Sequence, residues 1–213
     1  MAKLCRLLFF FALVKPLALV VLGINVRRRH LLPRHGPAIL VANHNSHLDT
    51  VILLSLFPYR LACRLRPVAA ADYFFRNRLV AWFVVEVLRI IPLDRTARAG
   101  TANLLKDVSQ ALAAGEILLL FPEGTRGEPE QLGEFRSGIA HIAKAHPEAP
   151  LIPVFVHGAG KALPRGEAIL IPFFCDIFVG EHLFWCGDRA RFMQQLTERF
   201  QQLSAEEEFS AWA

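Results

Sequence analysis

The sequence predicts an α/β fold, a mixed sheet covered by helices on both faces, preceded by an apolar helical segment at the amino terminus. Three observations lead there. Short apolar runs bounded by turn residues alternate with stretches of helical spacing, the pattern of strands buried on both faces. Hydrophobic residues make up 54% of the 213 positions, with 17 Phe and a mean hydropathy of +0.34, more apolar than a soluble domain needs. Basic residues crowd the front of the chain. Residues 1–66 carry ten Lys or Arg against one acid, Asp49, a net +9, whereas the other 147 residues carry fourteen against eighteen, a net −4.

A chain of this length buries about 70% of its unfolded surface, enough for one domain with an appendage. Charged residues at 20% and Gly and Pro at 13 each exclude a disordered, collagen-like or coiled-coil chain. The basic front flanks apolar segments and has no polar, aromatic-spaced groove. It therefore suits anionic lipid headgroups, and no nucleic-acid partner is expected. Cys5, Cys63, Cys175 and Cys186 form no C-x-x-C pair and read as reduced thiols, which favours a cytoplasmic face.

The elements follow in order. Leu7 to Val14 is apolar, Lys15-Pro16 interrupts it, and Leu17 to Val26 is apolar again before Arg27-Arg28-Arg29. Spanning a bilayer takes about 20 apolar residues, and Leu7–Val26 reaches that only with Lys15 and Pro16 inside. Three readings compete: a cleaved signal peptide, which lacks a small-residue cleavage site; a single span; and an interfacial or re-entrant pair of short helices broken at Pro16. The last is preferred, with Lys15 reaching the headgroups. Residues 1–34 are thus taken as a membrane-anchoring helical segment and 35–213 as the catalytic domain.

Within the body, Ala38–Ala42 (AILVA) reads as a buried strand, Leu48–Leu56 as a helix and Val68–Ala70 as a weak strand. Arg76–Leu88 is an apolar helix, Ile90–Leu93 a strand, 98–114 a helix, and Ile117–Phe121 (ILLLF) a strand ended by Pro122. Ser137–Ala145 is a helix, Leu151–Val156 and Ala168–Phe173 are strands, and Asp188–Leu203 is an amphipathic closing helix.

Chemistry gathers at strand ends, where open α/β sheets bind ligands. Asn43-His44-Asn45-Ser46-His47-Leu48-Asp49 follows the AILVA strand. Five residues apart, His44 and Asp49 stand about 140° from each other on an ideal helix. They can meet only if His44 lies on the turn and Asp49 in the first helical turn. Such a pair is what a general base needs, because the carboxylate sets the tautomer and stabilises the imidazolium. A plainer reading stays open, with Asp49 as a helix cap and His44 as a loop histidine. His44, His47 and Asp49 could also converge on zinc, but the remaining histidines are scattered and no metal is expected.

Phe121-Pro122-Glu123-Gly124-Thr125-Arg126 leaves the ILLLF strand. Gly124 allows positive φ and close backbone approach, Thr125 adds a hydroxyl, and Arg126 offers a planar fork for phosphate. Arg136 and Lys144 lie on the following segment. Arg95, ending Ile90-Ile91-Pro92-Leu93-Asp94-Arg95, is either a surface partner of Asp94 or a second phosphate contact. No G-x-S-x-G, Walker or G-x-G-x-x-G pattern is present, which excludes the serine-hydrolase elbow and the common nucleotide sites.

The four blocks, in this order, resemble the glycerolipid acyltransferases of the 1-acylglycerol-3-phosphate acyltransferase family. The resemblance rests on N-H-x-x-x-x-D at Asn43–Asp49, I-P-L-D-R ending at Arg95, F-P-E-G-T-R at Phe121–Arg126 and L-I-P-V at Leu151–Val154. F-R-S-G-I-A-H-I-A at Phe135–Ala143 adds to it. One departure is Arg89, where the second block usually begins with Gly. The resemblance implies a glycerolipid acyltransferase-like fold with His44 as base and Asp49 as its orienting partner. Arg95, Glu123, Gly124, Thr125 and Arg126 would hold the acceptor. It further implies transfer of an acyl chain from a coenzyme A or acyl carrier protein thioester to a lysophospholipid, 1-acylglycerol-3-phosphate above all, giving phosphatidate. No bound cofactor is expected, and the place of work is the cytoplasmic face of the inner membrane. Other lysolipid acceptors, or hydrolysis by the same His–Asp pair, are the alternatives.

Overall fold

The computed structural model describes residues 1–46, 48–70, 77–93, 98–125, 127, 132–162 and 173–206. Seven strands among them make one sheet: β1 (Leu22–Arg27), β2 (Ala38–Ala42), β3 (Leu65–Ala70), β4 (Ile91–Leu93), β5 (Ile117–Leu120), β6 (Leu151–His157) and β7 (Phe173–Val179). Their spatial order is β1-β7-β6-β2-β5-β3-β4. Neighbours pair in parallel except β6 with β7, so β7 and β1 run against the other five and the sheet is mixed, as expected.

All five residues of β2 and all four of β5 are buried, because both faces of the sheet are covered. Alternation sends Ala38, Leu40 and Ala42 to one apolar cluster with Phe10, Val14, Ile52 and Leu53. Ile39 and Val41 go to the other, with Val108, Leu112, Phe192, Leu196 and Phe200. The first face is covered by α1 (Ala2–Phe9), its π-helical continuations, and α2 (Leu48–Ser55). The second is covered by α4 (Arg98–Ala113), α5 (Gly138–Ala145) and α6 (Arg189–Ala205). Helix α3 (Arg78–Trp82) continues as a π-helical stretch, Phe83–Val87, that packs on α1. Asp188 caps α6 by accepting from the Arg191 N–H at 2.7 Å, as an Asx N-cap should.

The front of the chain departs from the sequence reading in three ways. The helix does not break at Lys15-Pro16: π-helical turns at Phe10–Val14 and Leu17–Val21 flank the proline, which keeps helical dihedrals of −61° and −42°. Widened turns are a known way to accommodate a residue without an N–H. Second, Lys15 does not reach outward. Its Nζ donates to the Ser55 carbonyl at 3.0 Å, at the end of α2, where unsatisfied carbonyls and the negative end of the helix dipole favour a cation. Arg29 does the same at Leu56, at 2.6 Å. Third, residues 22–27, assigned to the anchor, form the sheet's edge strand β1, in register with β7 from Leu22↔Phe173 to Arg27↔Phe178. Arg28 then clamps that edge, with both Nη atoms on Glu206 at 2.9 Å and Nε on the Val179 carbonyl at 2.7 Å. Among the described residues no helix is long and apolar enough to cross a membrane.

Residues 168–172 of the expected carboxyl-terminal strand lie outside the described residues. Its last residue, Phe173, opens β7. Phe174–Val179, broken by Asp176, lacks the continuous apolar run that marked the other strands.

Arg89, the departure in the second block, has φ of +58°, a left-handed conformation that glycine adopts freely. An arginine stays there because its guanidinium is held: Nη2 lies 2.5 Å from Glu116, and Nη1 donates to the Cys63 carbonyl at 2.6 Å. Arg66 completes the cluster, donating to Glu116 at 2.8 Å and to the Arg89 carbonyl at 2.8 Å. Arg89→Ala loses these contacts and keeps the strained backbone, whereas Arg89→Gly loses the contacts and relieves a strain of about 1 kcal/mol. Thermal unfolding should rank wild type above Arg89→Gly and Arg89→Gly above Arg89→Ala, the two variants differing by a few degrees.

Candidate active site

The site is built at the carboxyl ends of β2, β5 and β6, which share one edge of the sheet. As β2 ends, Asn43 replaces the backbone ladder with its side chain. Its Nδ2 donates to the Val156 carbonyl at 2.9 Å and its Oδ1 accepts from the Val156 N–H at 2.7 Å. Both groups of β6 are thereby satisfied although β2 has turned away, which fixes where the next residue, His44, begins its loop.

His44 lies on that loop and Asp49 in the first turn of α2, the arrangement their spacing requires. The Asp49 carboxylate is fully buried, and a single oxygen, Oδ2, gathers three donors at 2.8 Å each: His44 Nδ1 and the backbone N–H groups of Asn45 and Ser46. A carboxylate only accepts, so the bond places a proton on Nδ1, and Nε2 has no hydrogen bond to another described residue. The His44 side chain is about one-fifth exposed.

The loop after β5 forms the other wall. The Phe121 ring stacks on His44 with centroids 4.2 Å apart and planes 24° from parallel. Glu123 is buried and its Oε1 accepts from the His44 N–H at 3.2 Å, while the Gly127 N–H donates to the His44 carbonyl at 2.9 Å. The histidine is therefore held at its ring face, its Nδ1, its N–H and its C=O. Burial pushes the Glu123 carboxyl up from 4.5 to about 7, against the opposing pull of the His44 N–H.

Gly124 has φ of +73°, and a Cβ there would stand 2.7 Å from Arg136 Nε. That glycine lets the Arg136 guanidinium lie against the turn, where Nε donates to the Glu123 carbonyl at 3.2 Å. Thr125 is exposed at the tip of the turn. Arg95, Arg126 and His47 lie outside the described residues. Among the described residues no group of three His, Cys, Asp or Glu side chains is placed to hold a metal ion.

Four participants had little or no signal in the sequence. Asn43 and Phe121 belong to motifs already marked, but their parts, bridging β6 and stacking on the histidine, depend on tertiary neighbours 113 and 77 residues away. Arg136 was noted only as a nearby cation. Asn45 is buried, and neither carboxamide atom is hydrogen-bonded to another described residue.

A His–carboxylate pair stands on a loop at the strand ends of a mixed α/β sheet, walled by a glycine turn against which Arg136 lies, and such an arrangement has the chemistry for base-assisted group transfer. Residues 23–157 match the family model described as Acyltransferase, and the chain belongs to that family. It is 31% identical over 152 residues to a chloroplastic 1-acyl-sn-glycerol-3-phosphate acyltransferase of Arabidopsis thaliana, covering 69% of this chain and 40% of that protein. Identity is 28% over 138 residues with a lyso-ornithine lipid O-acyltransferase of Rhizobium meliloti, covering 62% of this chain and 43% of that one. The chain thus spans less than half the length of either relative. Its fold is shared with the crystal structure of the 1-acyl-sn-glycerophosphate acyltransferase PlsC from Thermotoga maritima, at a TM-score of 0.75 and 18% identity, covering 99% of this chain and 84% of that one.

The raised Glu123 value predicts how stability depends on pH. Because the folded value lies above the ordinary one, folding favours the protonated acid, a contribution present in full below about pH 4.5 and lost as the pH rises through about 7. A shift of that size amounts to roughly 3 kcal/mol. Glu123→Gln cannot ionise, so its melting temperature should rise relative to wild type between pH 5 and pH 8; a difference independent of pH would show that the carboxyl is not buried as described.

Proposed function

We propose that the protein transfers an acyl chain from an acyl thioester to the free hydroxyl of a lysophospholipid, 1-acylglycerol-3-phosphate being the leading acceptor and phosphatidate the product. The observation that carries this reading is the 2.8 Å His44–Asp49 pair, with no described residue bonded to Nε2. His44 Nε2 takes the acceptor's hydroxyl proton as the oxygen attacks the thioester carbonyl. A C–O bond forms, the C–S bond breaks, and the leaving thiolate takes the proton back from the imidazolium. Asp49 keeps the ring in the required tautomer and stabilises its charged form.

The acceptor's phosphate is assigned to cations beside the Phe121–Gly127 loop. Arg136 binds the Glu123 carbonyl through Nε, and its Nη groups make no hydrogen bond or ion pair to another described residue. Arg95 and Arg126 join it by resemblance, with Thr125 adding a hydroxyl from the exposed tip of the turn. Glu123 and Gly124 act on the acceptor largely through shape, the first by holding His44 and the second by admitting Arg136. Fixing the two reactants beside one base supplies the proximity that makes the attack effectively unimolecular. The donor is a coenzyme A or acyl carrier protein thioester, and neither a resident cofactor nor a metal is required.

The apolar front of the chain, net +9 over residues 1–66, attaches the enzyme to anionic lipid at the cytoplasmic face of the inner membrane. A different lysolipid acceptor is the second reading, favoured by the similarity to a lyso-ornithine lipid enzyme.

Membrane fractions supplied with acyl-coenzyme A and lysophosphatidate should yield phosphatidate, and His44→Ala should lose at least 100-fold of that rate. Asp49→Asn keeps the size but not the tautomer control and should also fall by 100-fold or more. Thioester consumed at the same rate with no lipid acceptor would replace the transferase reading by hydrolysis, and activity surviving His44→Ala would remove the base.

A further inference from the structure

Several exposed apolar side chains stand outside both cores. Leu4, Leu8, Phe11 and Leu13 stand on the first helix, and Leu19 and Val20 are close to four-fifths exposed at its end. On α3 and its continuation Leu79 is nearly as exposed, with Val80, Trp82 and Val85 beside it. Phe174 on β7 is the third element. Large apolar side chains gathered on adjoining elements mark a docking surface.

Topology puts these elements at one edge of the molecule. Strand β1 runs against β2, so Leu22, its first residue, lies at the edge where β2 and β6 end. The registers Asn25↔Asp176 and His157↔Asp176 place Leu22 and Phe173 three residues, about 10 Å, beyond His157. Leu19, Val20 and Phe174 therefore rise past the strand ends that carry His44. Gly23 fits this arrangement, since a Cβ there would stand 2.4 Å from the Phe174 ring.

Helix α3 begins near the same edge. Strand β3, parallel to β5 and hence to β2, ends at Ala70, and Asn77 caps the new helix seven residues later by accepting from the Leu79 N–H at 2.9 Å. Its far end is tied to the first helix. Arg6 donates to the carbonyls of Glu86 at 2.5 Å and Val87 at 3.2 Å, and Phe9 meets Phe83 edge-on at 5.4 Å.

Charge decides the occupant. Across residues 1–27 and 77–93 there are six Lys or Arg and one acid, Glu86. Through residue 66 the only acid is Asp49, which is buried. An apolar surface set in cationic surroundings fits an anionic lipid leaflet.

We propose that the lipid-docking surface extends from the amino-terminal helix onto the catalytic body, with Leu79, Val80 and Trp82 of α3 and Phe174 of β7 entering the leaflet alongside Leu19 and Val20. The enzyme then meets the bilayer with its catalytic edge, and a lipid acceptor reaches His44 without crossing water. This rests on the reading that the acceptor is a membrane lipid, but the first test below needs no turnover.

Trp82 is the probe. In a Trp185→Phe/Trp212→Phe background it is the only tryptophan, and full-length protein is mixed with vesicles of phosphatidylglycerol and brominated phosphatidylcholine. The expected result is a blue shift of Trp82 emission and quenching by the bromolipid. Trp82 unquenched in protein that cosediments with the vesicles would overturn the proposal, as would no cosedimentation at all. So would a blue shift that appears without lipid and grows with protein concentration, because the occupant would then be a second copy. As a second measurement, Leu79→Ser/Phe174→Ser should lower the ratio of rates on vesicle-borne to detergent-dispersed lysophosphatidate at least tenfold, and an unchanged ratio would count against the surface. Absence of acyl transfer from wild type with either acceptor form, with Trp82 quenched, would instead defeat the transferase reading alone.

Discussion

The structure around the site depends on one buried carboxylate. Taking a carboxylate out of water costs several kcal/mol unless hydrogen bonds replace the lost hydration. Oδ2 receives three, all at 2.8 Å, and two of them come from consecutive backbone N–H groups at the mouth of α2. Those amides would otherwise be unsatisfied at a helix start, where negative charge is favoured. One atom thus holds the Asn45 and Ser46 amides ahead of α2 and orients the histidine. The plainer reading of Asp49, a helix cap, and the functional one, a partner for the base, describe the same oxygen.

The second constraint is the grip of the β5 loop on the same histidine. Phe121, Glu123 and Gly127 hold ring face, N–H and C=O, so the third block of the chain serves the first before either touches a ligand. A base restrained at four points loses little freedom when it reaches the transition-state geometry, which is how positioning lowers a barrier. Burying a second acid in this wall has an electrostatic cost, visible in the upward push on Glu123, which the hydrogen bond from the His44 N–H at 3.2 Å partly offsets.

How much of this was legible follows from where each signal resides. AILVA, ILLL and LIPVFV are buried on both faces, so their runs are unbroken and read correctly as strands, and the His44–Asp49 spacing let the two side chains meet in one local arrangement only. β7 and β1 were harder for opposite reasons. Asp176 interrupts the first, while the second, Leu22-Gly23-Ile24-Asn25-Val26, follows an apolar helix with no turn residues between Val21 and Leu22 to mark a boundary. Its identity as a strand comes from β7, which is 151 residues away at each register position. Lys15 misled similarly: a lone cation in an apolar run reads as reaching for headgroups, yet the nearby end of α2 offers it a carbonyl. Arg89 shows the reverse, a local departure that becomes intelligible only with Glu116 and the Cys63 carbonyl in view.

The reversed strands also connect attachment to chemistry. Had β7 and β1 run with the other five, the first helix would have entered the sheet at the edge opposite His44. The antiparallel β6–β7 pair turns both strands over, so the helix delivers its end, with Leu19 and Val20, to the edge where β2, β5 and β6 present their loops. Lys15 and Arg29 then fasten the start and the end of that passage to successive carbonyls at the end of α2, the helix whose first turn holds Asp49. A displacement of the amino-terminal helix is thereby opposed by the same short helix that positions the catalytic pair. Eight residues of α2 carry both loads: its amino end receives the histidine, and its carboxyl end receives the segment proposed to meet the lipid.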